Sequence, residues 1–363
     1  MTDELTLTVN GNIIAGWEKI RVTRGMERCP NDFDILMTEH YPVGDLADVV
    51  VLPGDPCQVK IGSDLVITGY IDKYIPGIDK QSHTVRITGR GKCQDLVDCA
   101  AEWPNGQVTG ASALQVAQKL AQPYGITVTA DPGAFEDPLV LKPIPQLNLI
   151  LTETAWEIIE RTCRYRGLLS YENPDGNLYL SRVGTTSMAS GFAQGQNVES
   201  ATFEMSMDQR FQKYNVYLQS VQAYRDVGAG ANCIETVIDS NVKRNRQMSI
   251  IAEGDGTLGI NVAQARGYWE KNRREGRSTK VTLTTDSWRD SDGTLWTPNR
   301  LTTISLPSLK VQPNPATWII SEVTYHLDEK GTTAELTMMP PAAFTPAPIL
   351  LLAPLAELSG GQP

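Results

Sequence analysis

Short runs of alternating apolar and polar residues, separated by turn signals, recur along residues 1–97. The run "LTLTVNGNIIAGWEKIRVTRG" alternates with period two on both sides of Asn10–Gly11, a dipeptide that favours a two-residue hairpin turn. Further runs follow in "FDILMTE", "CQVKIGSDLVITGYIDKYIP" and "SHTVRITGR". Many short strands at spacings of roughly 8–12 residues are typical of a β-barrel or a β-sandwich. Residues 1–97 are therefore predicted to form one β domain.

The pattern changes to helical spacing within residues 98–183. Apolar residues fall on one helical face of "TGASALQVAQKLAQPYGI", and a second helix is predicted in "TETAWEIIERTCRYRG". Thr154 and Glu157 are spaced as a capping box at the start of that helix, and Gly167 fits its end. Two strands joined by Asn-Pro-Asp-Gly follow. This stretch is predicted to be an α+β domain with two helices and a β-hairpin.

A second series of strand-like runs occupies much of the remaining chain. Residues 184–230 and 278–345 are predicted to form a second β domain, interrupted at 231–277 by loops and a third helix, "VAQARGYWEKNRREG". The first and last β portions are similar in size and strand rhythm, which is typical of two copies of one barrel, although no sequence identity between them is apparent. The predicted fold class is mainly β with α+β insertions.

The C-terminal residues 346–363 form an apolar, proline-rich tail. Such a tail has little means of forming a core of its own, so it either docks on its own chain or buries its apolar residues against another subunit. The sequence leaves both alternatives open. The tail is too short and too interrupted by proline to span a bilayer. The apolar residues concerned are Phe344, just before the tail, and Ile349, Leu350, Leu351, Leu352, Leu355 and Leu358 within it.

The third predicted helix carries the one local excess of positive charge. Trp269, Arg273 and Arg274 lie among its basic residues, and interleaved basic and aromatic residues occur in nucleic-acid-binding segments. Glu270 and Glu275 dilute this charge, and helical spacing places Trp269 on the apolar face. The preferred interpretation is a solvated face or a protein–protein contact. We therefore predict that these residues and the apolar residues of the tail belong to a partner interface.

No catalytic, cofactor or metal-binding pattern stands out. The stretch "GRGKCQDLVD" lacks the spacing of a phosphate-binding P-loop, because Arg86 stands where the first glycine is needed and Cys93 where Ser or Thr is needed. Its glycines are predicted to adopt positive φ at the end of a strand, where the chain turns into a helical segment, with an anion-binding nest as the alternative. The three histidines have no ligand-like spacing, and the six cysteines form no C-x-x-C pair, so buried free thiols are expected.

The charge and the N-terminus restrict the class of protein further. A net charge of −10 argues against a nucleic-acid-binding surface, because phosphate binding requires basic patches. It is compatible with a wall along which DNA passes without sticking. The start "MTDELTLTVNG" is acidic and strand-like, unlike a signal peptide, so synthesis and folding in a reducing cytoplasm are expected.

Three stretches resemble the baseplate hub proteins of contractile-tailed phages, and the Mu-like hubs in particular. They are "LTLTVNGNIIAGWEKIRVTRGMERCPNDFDI", "DLVITGYIDKYIPGIDKQSHTVRITGRGKCQDLVDCAA" and "GTLWTPNRLTTISLP". The resemblance extends from Leu5 to about Phe344 and depends on the order and extent of structural motifs. It implies two β-barrel domains similar to the tail-tube protein, with smaller domains inserted. Three copies would form a ring of six barrels that joins a sixfold tail tube to a threefold spike.

The resemblance also implies partners and a location. The expected partners are two further copies in a homotrimer, the tail-tube protein, the central spike protein and other baseplate proteins, while DNA passes through the channel without specific binding. The expected location is the tail baseplate of the virion, with synthesis in the host cytoplasm and no enzymatic activity. One alternative is a tail-associated peptidoglycan hydrolase, which requires two carboxylates in a cleft. Another is a carbohydrate-binding β module, which requires exposed aromatics such as Trp103, Trp288 and Trp296 along a groove.

Overall fold

The computed structural model describes residues 3–38, 51–80, 82–103, 106–135, 141, 143–144, 147–219, 233–253, 259–311, 316–329 and 331–345. The strands of the first β part are β1 (Leu5–Val9), β2 (Asn12–Ile14), β3 (Lys19–Gly25), β4 (Asp32–Thr38), β5 (Pro56–Ile61), β6 (Asp64–Ile78) and β7 (His83–Gly91). The α+β part contains α1 (Gln94–Asp98), β8 (Gln107–Val108), α2 (Ala113–Ala121), β9 (Val128–Ala130), α3 (Pro132–Phe135), β10 (Leu147–Asn148), α4 (Ala155–Tyr165), β11 (Leu169–Glu172) and β12 (Leu178–Ser181).

Strands again dominate the rest of the described chain. They are β13 (Phe192–Ala193), β14 (Ser200–Met205), β15 (Lys213–Gln219), β16 (Cys233–Ile238), β17 (Gln247–Glu253), β18 (Thr279–Thr285), β19 (Leu301–Ser305), β20 (Ala316–Asp328) and β21 (Gly331–Met339), with helix α5 (Gly259–Arg277) between β17 and β18. Short 3-10 helices occur at Gln122–Tyr124, Pro307–Leu309 and Pro341–Phe344. The predicted class, mainly β with α+β insertions, is confirmed. No described helix is both long and apolar enough to cross a membrane.

One sheet of thirteen strands runs through both β-rich parts of the chain. Its path is β14-β18-β21-β20-β3-β4-β7-β6-β5-β1-β2, and β19 pairs with β20 and with β13. The two parts meet where β3 and β20 pair antiparallel, with Gly25 opposite Glu322 and Ile20 opposite Leu327. The alternating apolar residues of both parts point into one buried core beneath this sheet. The pairings of the described strands do not close either part into a barrel.

The two halves of this sheet have the same strand order. In the first half, β3, β4, β5, β6 and β7 follow one another along the chain, and their order in the sheet is β3-β4-β7-β6-β5. In the second half, β14, β18, β19, β20 and β21 follow one another with β15–β17 and α5 inserted, and their order in the sheet is β14-β18-β21-β20-β19. A β-bulge shifts the register of β6 between Ile71 and Lys73, and another shifts that of β20 between Ile320 and Glu322. The similar strand rhythm of the sequence corresponds to this shared topology.

The α+β part has its own core. Helices α2 and α4 pack together near a three-stranded sheet in the order β11-β12-β9, in which β9 is parallel to β12. The predicted capping box of α4 is present, because the Thr154 hydroxyl accepts from the Glu157 amide at 3.2 Å and the Glu157 carboxylate accepts from the Thr154 amide at 2.8 Å. Buried apolar residues on the inner faces of the two helices, such as Leu120 and Ile158, fill the core.

Strand β15 belongs to a small separate sheet. The sequence grouping placed residues 184–230 with the second β domain, but β15 pairs antiparallel with β16 and parallel with β17, and α5 packs on this sheet. Tyr214 and Val216 of β15 are buried with Ala263 of α5. Alternation identifies a strand but not its partner, so the sequence pattern carried no information on this pairing. The exact domain limits stay a prediction.

Candidate functional site

The Gly-Arg-Gly-Lys quartet ends β7, where the first β part meets the α+β part. The guanidinium of Arg90 pairs with Asp72 at 2.7 Å and with Asp98 at 2.8 Å. The ammonium of Lys92 donates to the carbonyl oxygen of Gly125 at 2.5 Å. Both cations of the quartet therefore bind partners within the chain, in positions that connect the strand end to the helices beyond it.

A carboxylate of the chain itself lies where an anion beside the quartet would bind. Glu172, at the end of β11, is 2% exposed, and its oxygens accept hydrogen bonds from the amides of Asn31 at 2.8 Å and Cys93 at 2.7 Å. A Cβ atom added at Gly91 would lie 1.9 Å from Oε2 of Glu172, so only glycine permits this close approach. The chain turns at Lys92 and Cys93, directly after the strand, as predicted. The predicted positive φ is wrong for both glycines, which lie within β7 and instead permit close contacts, at Gly91 with an internal carboxylate.

The environment of Glu172 makes its carboxyl group titrate near neutrality. Burial disfavours the charged form and raises the pKa of Glu172 to about 7, although the amide hydrogen bonds from Cys93 and Asn31 act in the opposite direction. The carboxyl oxygens bind the backbone amides of Asn31, just before β4, and of Cys93, just before α1. Glu172 is therefore a structural link across the junction, and its titration affects the stability of that link.

A cavity of about 360 Å³ lies between α4, α5 and the 3-10 helix at Pro341–Phe344. Trp269, Arg273 and Phe344, three of the predicted interface residues, line it together. Arg273 lies 3.6 Å from the carboxylate of Glu27 on the same wall. Burial lowers the pKa of the Arg273 guanidinium, because it disfavours the cation.

Helix α5 holds the last described residues of the chain in place. The indole nitrogen of Trp269 donates to the carbonyl of Thr345 at 2.6 Å, and Nε of Arg277 donates to the carbonyl of Ala343 at 3.0 Å. The Phe344 side chain is 3% exposed in a core cluster that includes Met26. Up to Thr345, therefore, the chain docks on itself, and Phe344 contacts its own core.

The other predicted interface residues lie elsewhere. Arg274 pairs with Glu270 at 2.6 Å and donates to the carbonyl of Gln209 at 2.9 Å, so its guanidinium connects α5 to the chain just before β15. The remaining tail residues lie outside the described part of the chain: Ile349, Leu350, Leu351, Leu352, Leu355 and Leu358. A partner-binding role for these residues stays a prediction.

The geometry bears on the metal site and on the carbohydrate-binding alternative. Within the described residues, no group of three or more His, Cys, Asp or Glu side chains is placed to hold a metal ion. Trp288 and Trp296 are 3% and 1% exposed and lie in the main core, so they do not line a sugar-binding groove. Trp103 packs under the ammonium of Lys119, 4.3 Å from the ring centroid.

Several solved structures share this fold. The 43 kDa tail protein of prophage MuSo2 from Shewanella oneidensis superposes with a TM-score of 0.81 and 28% identity, covering 95% of this chain and 100% of that one. A tail protein from Neisseria meningitidis MC58 gives a TM-score of 0.78 at 21% identity, covering 95% and 99% of the two chains. The E. coli c3393 protein, a type VI secretion component, gives 0.58 at 10% identity, covering 96% and 80%. The fold is that of phage tail proteins.

Family models and a curated relative define the family within this class. Residues 4–91 match the N-terminal domain of GpP-like Mu phage baseplate assembly proteins, residues 93–182 the second domain of gp44-like baseplate hub proteins, and residues 259–347 the fourth domain of the Mu phage baseplate assembly protein GpP. The baseplate hub protein gp44 of Escherichia phage Mu is 32% identical over 351 residues, which are 95% of this chain and 89% of the relative. The chain belongs to the family of Mu-like phage baseplate hub proteins.

Proposed function

We propose that this chain is the structural hub of a contractile-tail baseplate and acts as a symmetry adaptor. Three copies form a closed ring in which each chain contributes two similar tube-like β domains, so that six similar units surround a threefold axis. Such a ring presents six similar surfaces to a sixfold tail tube, one for each tube subunit. Its true symmetry is threefold and therefore matches that of a threefold central spike. The observation that carries the proposal is the shared strand order of the two halves, including the bulge in β6 and in β20.

The proposed ring leaves a central channel for DNA. The net charge of −10 supports passage without binding, because an acidic protein repels the phosphate backbone. The proposed partners are the tube protein, the spike protein and other baseplate proteins, and the role is mechanical rather than enzymatic, with no cofactor. The protein is made in the host cytoplasm and then built into the virion.

The cavity beside α5 is a second part of the proposal. Thr345, the last described residue, lines this cavity, and the apolar tail follows it directly in the sequence. We place a partner-binding surface here, formed by the face of α5 that carries Trp269 and Arg273 together with the tail.

The mass of the purified full-length chain in solution tests the ring. Multi-angle light scattering over a concentration series is expected to show a species of three times the chain mass that persists on dilution. A closed threefold assembly predicts no dimer or tetramer at intermediate concentrations. A monomer at every concentration, or a stable species of another stoichiometry, would contradict the proposal.

A further inference from the structure

The junction between the two halves of one chain indicates how neighbouring chains meet. Inside the chain, β20 of the second half pairs with β3 of the first half. By strand order, β20 corresponds to β6 and β3 corresponds to β14. Among the described residues, β14 pairs only with β18, and the part of β6 beyond Ile71 pairs only with β7. The two strand edges that pair inside the chain thus have counterparts on β14 and on the end of β6, and no described strand pairs with either counterpart.

Side chains on these two unpaired edges are more exposed than the corresponding side chains at the internal junction, as expected if each edge lacks a neighbouring strand. Arg24 on β3, paired with Val323 of β20, is 8% exposed, whereas the corresponding Met205 on β14 is 73% exposed. Leu327 on β20 packs against the main core, whereas the corresponding Ile78 on β6 is 84% exposed. Exposed apolar side chains on an open edge invite pairing with another chain.

The shared bulge fixes the register of the expected pairing. Lys73 of β6 corresponds to Glu322 of β20, because each is the first paired residue after the bulge. The strand pairings extend this correspondence to the other edge. The path from β6 through β7 and β4 to β3 matches the path from β20 through β21 and β18 to β14. Val22 of β3 therefore corresponds to Phe203 of β14.

This correspondence identifies opposing residues in two copies. Inside the chain, Thr324 of β20 lies opposite Thr23 of β3. The corresponding residues are Ile75 on β6 and Glu204 on β14. A junction of the same kind between copies therefore places Ile75 of one copy opposite Glu204 of the next.

The residues that meet in this register are compatible. Pro76 falls opposite Phe203 on the face that continues the core, and apolar cross-strand pairs stabilise a sheet. On the other face, Lys73 lies diagonally across from Glu204, which gives an attractive charge pair. Pro76 lacks an amide hydrogen and so removes at most one hydrogen bond from the new ladder.

We infer that β14 of one copy pairs antiparallel with residues 73–78 of β6 in the next copy, so that the sheet of each chain continues into its neighbour. The inference rests on the proposed function and adds to it the surface through which the copies meet. Two different edges of the same chain form a heterologous interface, which closes into a ring when its rotation divides the circle. In such a ring both edges are covered.

An engineered disulfide tests this register. At the junction inside the chain, the hydroxyl oxygens of Thr23 and Thr324 lie 3.2 Å apart, so two cysteines in the same relation are within reach of a disulfide. The variant Ile75→Cys/Glu204→Cys, oxidised with glutathione disulfide, is expected to give covalent trimers on a non-reducing gel that return to monomers on reduction. A bond within one chain would leave the mass unchanged, and six strands separate β6 from β14 in the sheet.

Two matched variants serve as controls. Thr23→Cys/Thr324→Cys places the same pair at the internal junction and is expected to form a disulfide without any increase in mass. Ile75→Cys/Thr202→Cys shifts the pair by two residues and is expected to cross-link far less. All variants keep the native cysteines, so background oxidation is the same in each.

The outcomes separate this inference from the proposed function. A trimer in light scattering with no cross-link at Ile75 and Glu204, while the internal pair does cross-link, would overturn the inference and leave the hub proposal in place. Equal cross-linking in the shifted variant would also overturn the proposed register. A monomer at all concentrations with no intermolecular cross-link would overturn both.

Discussion

At the residue scale, the contact between Gly91 and Glu172 holds the first β part to the α+β part. Replacing Gly91 by alanine places a methyl group within 1.9 Å of the Glu172 carboxylate, so the carboxylate or the strand must shift. We expect Gly91→Ala to lower the free energy of unfolding by about 1–3 kcal/mol, the usual cost of overpacking. Urea denaturation followed by circular dichroism measures this change.

Gly133→Ala is the matched control for that variant. A Cβ atom at Gly133 meets no atom within 4 Å, and its φ is not positive. The control is expected to change the free energy of unfolding by no more than about 0.5 kcal/mol. Equal effects of the two alanine substitutions would show that the contact with Glu172 does not constrain residue 91.

The raised pKa of Glu172 predicts a specific pH dependence. Its carboxyl has a pKa of about 7 in the folded protein against an ordinary value of 4.5, so folding favours the protonated form. This contribution to stability is complete below about pH 4.5 and is lost as the pH rises to about 7. We expect the stability of the native chain relative to Glu172→Gln to fall by about 2–3 kcal/mol between pH 5 and pH 8.

Urea denaturation of both proteins across this pH range measures the difference. The glutamine variant has no titrating group at this position, so subtraction removes the contributions of all other groups. A constant difference between the two proteins from pH 5 to pH 8 would show that Glu172 is ionised throughout and that burial does not control its charge.

At the element scale, a buried ion pair connects the small sheet of β15–β17 to the chain that precedes it. Arg210 lies 2.6 Å from Asp239, and their side chains are 8% and 1% exposed. Asp239→Asn removes the nearer and more buried of the two carboxylates that face the guanidinium, and leaves only the half-exposed Glu275 at 3.4 Å. We expect this variant to lose about 2–4 kcal/mol of stability, measured by urea denaturation.

The exposed pair of Arg86 and Asp34 provides the comparison for Asp239→Asn. Asp34 lies 2.5 Å from Arg86, whose side chain is 51% exposed on the outer face of the sheet. Solvent screens this pair, so Asp34→Asn is expected to cost less than about 1 kcal/mol. Similar losses in the two variants would contradict the dependence on burial.

At the same scale, local sequence signals predicted where helices and strands form better than they predicted which strands pair. The capping box of α4 was predictable because Thr154 and Glu157 bond to backbone groups of their own first turn. The pairing of β15 with β16 and β17 was not, because the pattern of a strand is the same whichever sheet it joins. The contact of Glu172 with residue 91 also had no local signal, since the two residues are distant in sequence.

At the scale of the whole molecule, the proposed ring depends on the open edge of β14. Met205→Asp places a negative charge on the 73% exposed apolar side chain that the neighbouring copy is expected to cover, at the position where the internal junction holds the cation of Arg24. We expect the variant to fold as a monomer, or as a trimer that dissociates at least about tenfold more readily, since burying an uncompensated charge costs well over 1.4 kcal/mol. A light-scattering concentration series measures the dissociation.

Ile251→Asp is the control for the charge itself. Ile251 is 63% exposed on β17, in the small sheet apart from the proposed junction. This variant is expected to keep the mass of the native protein. If Met205→Asp also kept that mass at every concentration, the edge of β14 would not be part of the interface.

The sequence by itself determined the class of fold, the helix cap and the absence of a P-loop at the quartet, because each of these depends on residues close together in the chain. Only the tertiary structure decided that β3 and β20 join two halves into one sheet, that Glu172 contacts Gly91 at the end of β7, and that Phe344 packs into a core of the same chain. These contacts form between segments far apart in sequence. Their energy comes from burial and from backbone hydrogen bonds, which any apolar strand offers to any other, so the pattern of one segment does not specify its partner.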